Sequence, residues 1–382
     1  MMNRFINMKF DKGLLLAVIL LLVLGIVIIY TGTSPIAMQK GLPAEFFTIS
    51  HIKKVLLGLF CMTLAVIVDY SFWYKFARPL FAVLLLAMIL VLFQDAAVKG
   101  ASRWLSIAGL KIQPSEFMKL GIFCLLSVKL VEAGDKINDF KVGFLRPLIL
   151  VGIVCLTLIL QPNFSMVLMI LATSLVVIYV AGVPMKHLMK LLALCPLLVV
   201  VAYTQSYRSM RIKAWLDPDK YPEVAHQLRH SLIALGNGGI TGTGIGQGTQ
   251  KLGYVPESYK DAAFSILGEE LGFIGAFLML SLFAFLAYRG FAIARSSSTR
   301  FGKYLAVALT SSICLNMIFH VCVCTGLFPT TGQPLPFISF GGTSLVTTLI
   351  SVGILLNISK SDTGQRIQEI PINSTIYSTR YL

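Results

Sequence analysis

Charge is what this 382-residue chain has least of: Asp, Glu, Lys and Arg make up 13% of it, against 56% apolar residues and a mean hydropathy of +0.81. A soluble domain carries about a quarter charged residues, so an ordinary soluble fold is excluded, and so is a disordered chain, which needs the opposite balance. Acidic residues are scarcest, 17 against 32 basic ones, for a net charge of +15. No long stripe or aromatic-interleaved patch concentrates these cations; they stand singly or in pairs between apolar runs. That placement speaks against a nucleic-acid partner and for anchors at membrane boundaries. Hydrophilic cysteine is missing too, since Cys61, Cys124, Cys155, Cys195, Cys314, Cys322 and Cys324 all fall inside apolar runs. They read as small core hydrophobes, which leaves no disulfide framework and no zinc site. Internal repeats and low-complexity tracts are not evident.

What is present is apolar length. A spanning helix needs about 20 apolar residues for a bilayer core ~30 Å thick. Cutting at charges, Gly and Pro predicts ten spans: 13–31, 55–69, 79–94, 116–131, 147–161, 163–182, 188–204, 263–288, 304–327 and 337–358. The fold class is therefore all-α, a polytopic integral membrane protein forming one domain over 1–382. The first run follows a basic leader but lacks a clean small-x-small cleavage site, so it reads as a retained anchor. With the N-terminus inside, 18 of the 32 basic residues fall on the cytoplasmic side, and 7 of the other 14 lie in one long connection at about 205–262. Long translocated loops barely influence topology. Both termini are expected in the cytoplasm, the long loop between spans seven and eight outside, and 361–382 as a polar cytoplasmic tail.

Ionisable groups in or beside a membrane are costly and mark cavities or partners. Three regions qualify. In the first, Arg103 precedes Gln113-Pro-Ser-Glu-Phe-Met-Lys119, where Pro114 suits a first helical turn and Glu116 and Lys119 share one face. The pair reads equally as an interfacial ion pair or as the lining of a groove for an anionic headgroup. The second is the long loop, which mixes Arg211 with aromatics and then places seven glycines within residues 236–248. That stretch is either an amide-lined phosphate cradle or a flexible connection; no strand precedes it, so a dinucleotide fingerprint is dismissed. In the third, Lys260 and Asp261 stand at the mouth of the eighth span, with Glu269 and Glu270 two to three turns inside it. Two carboxylates at that depth must be partnered or face water, which predicts a polar cavity. Asp261 reads either as the N-cap of that helix or as a base at an external cavity mouth. Finally, three prolines and four glycines between Gly326 and Gly342 forbid a regular helix there; irregular backbone at membrane depth is buried in protein or lines a cavity.

The blocks Lys99 to Lys119, Gln227 to Gly242, Gln250 to Gly275 and Gly326 to Ser344, in this order and spacing, resemble the SEDS family of shape, elongation, division and sporulation proteins, that of FtsW and RodA. The Gln250-Lys-Leu-Gly, the Gly268-Glu-Glu-Leu-Gly and the Arg289-Gly-Phe-Ala-Ile-Ala look more like the FtsW branch. The resemblance implies a glycosyltransferase of the bacterial cytoplasmic membrane that polymerises lipid II into glycan strands, beside a class B penicillin-binding protein and other division or elongation membrane proteins. Carried over by motif, Asp261 matches the family's essential external aspartate, Glu116 and Lys119 its charged pair, and Arg103 and Arg211 its recurrent basic positions. The sequence departs from the family's usual residues at Tyr259, Lys260, Ala262, His230 and Phe340. Lys260 beside Asp261 favours the ionised carboxylate and helps hold an anionic substrate. On this reading Asp261 is the base, Arg103, Lys119 and Arg211 bind pyrophosphate, and Glu116 orients Lys119. A divalent cation, Mg2+ or Mn2+, could assist the leaving group, although no ligand spacing demonstrates one. The rivals are a flippase for a lipid-linked precursor, which would share the groove and the buried carboxylates, and a non-catalytic division scaffold.

Overall fold

The computed structural model describes residues 10–93, 103–107, 110–192, 206–250 and 258–361. In chain order its elements are α1 (Lys12–Gln39), α2 (Phe46–Ile67), α3 (Ser71–Leu92), a hairpin of β1 (Leu105–Ile107) and β2 (Leu110–Ile112), α4 (Pro114–Ala133), α5 (Arg146–Leu160), α6 (Phe164–Val180), α7 (Met185–Leu192), α8 (Ser206–Leu216), α9 (Pro222–Gly238), the single turn α10 (Ser258–Asp261), α11 (Ala263–Ser296), α12 (Arg300–Cys324) and α13 (Thr343–Ser361). Seven of the described helices are long and apolar enough to cross a bilayer: α1, α2, α3, α5 with its π-helical lead-in, α11, α12 and α13. α6 is shorter, and α4 is interrupted by Glu116, Lys119, Lys129 and Glu132. The chain is an all-α, multi-pass membrane protein. Its outer helices turn large apolar side chains outward, Leu56 and Phe60 on α2, Val83 and Leu86 on α3, Phe277 on α11, as a lipid-facing surface must.

Differences from the expected spans have local causes. α1 continues to Gln39 through Pro35. The last helix starts at Thr343, not 337, because Pro334, Pro336 and the Gly341-Gly342 pair keep the preceding segment irregular. The expected seventh span, 188–204, overlaps α7 at its start, and the rest of it lies outside the described residues. The long connection is not a plain loop, since α8 and α9 form within it.

Hydrogen bonds define the two ends of the bundle. At one end Asp11 caps α1, accepting from the Leu14 amide at 2.8 Å, and also pairs with Arg289 of α11 at 2.5 Å. Nearby, the Asp11 amide donates to Ser359 Oγ, and Asn357 of α13 bridges the Tyr70 amide and the Val66 carbonyl at the α2–α3 corner. The other end gathers the α1–α2 corner, the β hairpin, α8, α9, α10 and the 326–342 segment. Every candidate functional side chain lies toward that second end. In the interior, α4 is buried along nearly its whole length, packed against α3, α5, α6, α12 and α13. Gly25 of α1 lets the irregular segment into the core, for a Cβ there would lie 2.4 Å from the Phe337 carbonyl oxygen.

Candidate active site

The site is organised by a break in α11. Gly272 has φ 64° and ψ −163°, outside helical space and open to glycine almost alone. The break turns two amides out of the helix: Phe273 N–H donates to the Gly239 carbonyl at 2.9 Å and Ile274 N–H to the Ile240 carbonyl at 3.1 Å. The Glu269 and Glu270 carbonyls thereby lose their helical donors and accept instead from Thr243 N–H (2.9 Å) and Gly244 N–H (3.0 Å). Helix and glycine-rich loop are spliced by this exchange, so that these four backbone groups keep hydrogen-bond partners across the kink. The Glu269 carboxylate extends the splice, accepting from Thr249 N–H at 2.9 Å, Thr249 Oγ1 at 3.2 Å and Gln250 N–H at 3.2 Å. Gln250 Oε1 in turn accepts from His230 Nδ1 of α9 at 2.8 Å. Glu269 and Glu270 are both buried, as expected from sequence. Glu269 is partnered by the loop, and the loop amides of Gly239, Gly242, Thr243, Gly244, Gln247, Thr249 and Gln250 are bonded within the protein.

Asp261 ends α10, one residue before α11. The N-cap position of α11 falls on Ala262, which has no side chain to cap with, so Asp261 is not the helix cap. Above it runs the 326–342 segment: a Cβ on Gly332 would lie 3.5 Å from Asp261 Oδ2. Three bonds hold that segment in place. Arg211 of α8 donates to the Thr330 carbonyl at 2.8 Å, Trp215 Nε1 donates to the Gly326 carbonyl at 2.7 Å, and Phe340 N–H donates to the Tyr259 carbonyl at 2.9 Å. His320 of α12, fully buried, ties the segment to the start of α11. Its Nδ1 donates to the Gln333 carbonyl at 2.8 Å and its Nε2 accepts from Phe264 N–H at 3.5 Å. A carbonyl can only accept and an amide only donate, so the bonds select the neutral Nδ1-protonated ring.

The first turn of α4 supplies the second group. Glu116 and Lys119 are both buried and pair at 2.7 Å. They line a cavity of about 20 Å³ with Asn316 and Ser312 of α12 and Thr347, Thr348 and Ser351 of α13, which is room for about one water. The pair is therefore internal to the bundle, not an ornament of its surface. Gln113 N–H, just before α4, donates to Thr343 Oγ1 at 3.3 Å, which joins this group to the segment over Asp261. Arg103 donates to the Gln161 carbonyl at 3.3 Å and to the Pro162 carbonyl, which holds the hairpin onto the α5–α6 turn. Lys260 lies over the Tyr259 ring at 5.5 Å.

The structure thus sets Asp261 and Arg211 against one irregular segment, with Lys260 next to Asp261 in the chain, while Glu116 and Lys119 lie between α4, α12 and α13 and Arg103 lies on the α5–α6 turn. Sequence reading passed over His320 and Lys54. His320 stands alone in an apolar run, and that isolation was the available signal, because a lone ionisable group at membrane depth needs a reason; Lys54 follows His51 and Lys53 at the edge of an expected span and gave no such signal.

Comparison with known proteins gives the family and the fold. The model of the cell cycle protein family of FtsW, RodA and SpoVE matches residues 12–364, and the chain belongs to that family. A probable peptidoglycan glycosyltransferase FtsW from Geobacter sp. (strain M18) is 36% identical over 354 residues, covering 92% of this chain and 96% of its own. Stage V sporulation protein E of Bacillus subtilis (strain 168) is 35% identical over 355 residues, with 92% and 97% covered. Among solved structures, a chain from work on the structural coordination of polymerization and crosslinking by a peptidoglycan synthase complex superposes with a TM-score of 0.78 at 26% identity, over 94% of this chain and 99% of that one. The rod shape determining protein RodA of Thermus thermophilus shares the fold, with a TM-score of 0.67 at 24% identity over the same shares.

Proposed function

We propose that this chain is a peptidoglycan glycosyltransferase that polymerises lipid II at the outer face of the bacterial cytoplasmic membrane, with Asp261 as general base. Membership of the family and full-length similarity to FtsW proteins support the activity. The observation that carries the residue assignment is the position of Asp261. It is a carboxylate not used as a helix cap, under an irregular segment that Arg211 pins, with Lys260 adjoining it in sequence.

In the reaction, Asp261 takes the proton of the acceptor sugar's 4-hydroxyl as its oxygen attacks the anomeric carbon of the donor. The bond from that carbon to the pyrophosphate oxygen breaks, and the pyrophosphate departs on its lipid as an anion. One base suffices, because a pyrophosphate is already a good leaving group and needs no paired acid of the glycosidase kind. Fixed cations offset the charge that develops on it, the role of Arg103, Lys119, Arg211 and Lys260, with Glu116 holding Lys119 in place. A divalent cation held by one carboxylate and the substrate's own phosphates would use Asp261. Among the described residues no three His, Cys, Asp or Glu gather into a metal site. A class B penicillin-binding protein is the proposed partner; the related chain in the peptidoglycan synthase complex supports it.

Purified protein with such a partner, given labelled lipid II in liposomes, tests the reading. Polymer is expected from the wild type, and Asp261→Asn should lower the rate by about 10²- to 10⁴-fold, the usual worth of a positioned base. Polymer at the wild-type rate would remove Asp261 from the chemistry. Translocation of lipid II without polymer would favour the flippase, and neither activity would leave the scaffold.

A further inference from the structure

Apart from the groups assigned to the reaction, α9 carries two histidines one helical turn apart. His226 and His230 stand at i and i+4, so both project from one face, and their ring centroids lie 4.2 Å apart. Both residues are half-buried, on the long external connection. Nδ1 of His230 lies 2.8 Å from Gln250 Oε1, an atom that only accepts, which puts the proton on Nδ1 and the lone pair on Nε2. Gln250 is itself anchored, since its backbone amide donates to the Glu269 carboxylate at 3.2 Å. Arg229, the neighbouring cation on α9, is ion-paired with Asp219. Glu223, one turn before His226 and exposed, adds a carboxylate to the same face of the helix.

Two imidazoles at this spacing are the elements of a chelate. The nitrogen that meets a metal must be unprotonated, and a hydrogen bond at the opposite nitrogen fixes both the tautomer and the aim of the ring. Two nitrogens bound at ~2.0–2.1 Å to one tetrahedral ion stand about 3.3 Å apart, within reach of rings already in contact. We propose that His226 and His230 form a bidentate site for a borderline transition-metal ion, Zn2+, Ni2+ or Cu2+, with Gln250 as its outer support. Imidazole selects these ions over Mg2+, which takes oxygen ligands, so the site is separate from the cation considered for the leaving group. Among the described residues no third His, Cys, Asp or Glu joins the pair in a cluster, and water completes the coordination. The His230–Gln250 bond that aims the ligand and the ion that uses it strengthen one another by the same factor. An occupied site therefore holds residues 239–250 more firmly against the broken α11. The site is independent of the glycosyltransferase reading and gives the external loop a metal-dependent hold.

The test uses the full-length protein in detergent, without a polyhistidine tag, titrated with Zn2+, Ni2+, Cu2+ and Mg2+. Wild type is expected to bind one of the first three per chain and to leave Mg2+ unable to compete. Bound Cu2+ should show the electron paramagnetic resonance pattern of two coordinated imidazole nitrogens. Gln250→Ala, which keeps both ligands and loosens one, should weaken binding roughly ten- to a hundredfold, and His226→Gln and His230→Gln should each weaken it at least as much. At saturating Zn2+, hydrogen exchange in peptides covering residues 239–250 should slow in wild type by about the factor that Gln250→Ala loses in affinity, and stay unchanged in His226→Gln. His226→Gln decides the outcome if His230→Gln folds poorly, because the His226 ring holds no other described residue by a hydrogen bond. Undiminished affinity in the histidine variants overturns the site and marks the binding as an adventitious ion only, as does Mg2+ competing on equal terms with Zn2+. Zn2+ that binds through both histidines without slowing exchange at 239–250 refutes the coupling to the loop.

Discussion

Replacing Glu269 by alanine tests the splice between the broken helix and the glycine-rich loop. Its carboxylate receives three donors, the amides of Thr249 and Gln250 and the Thr249 hydroxyl, at 2.9–3.2 Å. A hydrogen bond to a charged group is worth about 1.5–3 kcal/mol, and an orphaned buried donor costs ~1–3 kcal/mol. Two effects reduce the simple total. Water can reach donors that are only partly buried, and losing a carboxylate that is 1% exposed relieves its desolvation. A net cost of about 2–4 kcal/mol to the docked loop follows, which raises the population of its open form by roughly thirty- to several-hundredfold. Hydrogen exchange read on peptides covering residues 239–250 should accelerate by that factor in Glu269→Ala, while peptides from α4 and α13 stay protected. Glu269→Gln keeps one acceptor oxygen and should fall between the two. If the 239–250 amides exchange at the wild-type rate in Glu269→Ala, the carboxylate does not hold the loop and the argument for its burial fails.

Two further substitutions probe the same end of the molecule. Gly272→Ala should lower the thermal midpoint sharply and reduce folded yield in detergent, because the new Cβ would lie 2.3 Å from the Gly242 amide nitrogen at a backbone conformation closed to alanine; Gly236→Ala, with nothing within 4 Å, should be neutral. His320→Leu removes both bonds that fasten the 326–342 segment to α11, at a cost of about 2–4 kcal/mol. It should depress lipid II polymerisation, with His320→Asn, which can both donate and accept, retaining more activity than His320→Leu; equal activity in the two variants would deny His320 a positioning role.

Much of the fold was legible because the signals are local. Helix length against bilayer thickness, and the isolation of charges between apolar runs, are properties of short windows, and they located α4 to α6 within two residues of their ends, and α1 to α3 and α11 to α13 with ends up to nine residues off. The prolines and glycines after Gly326 likewise announced their own irregularity. Where the reading left alternatives open, the missing information was a partner far along the chain. Glu269 meets a loop some twenty residues before it, and nothing in its neighbours says that the loop would bring three donors to it rather than leave it facing a cavity. The glycines of 236–248 promised close approach, but only the contact with the Gly272 break shows that the amides of Thr243 and Gly244 bond to the protein itself.

By itself the sequence determined a multi-pass helical membrane protein of a recognisable family, because hydropathy and short motifs are written in contiguous residues. Tertiary structure alone decided which polar groups share a site. It seated Asp261 under Gly332, made His320 a neutral bridge, buried Glu116 with Lys119 against α12 and α13, and brought Lys54 of α2 to a ring more than two hundred residues away in the chain. Such pairings depend on helices crossing at fixed places, and a buried charge acquires its meaning only from what the crossing puts beside it.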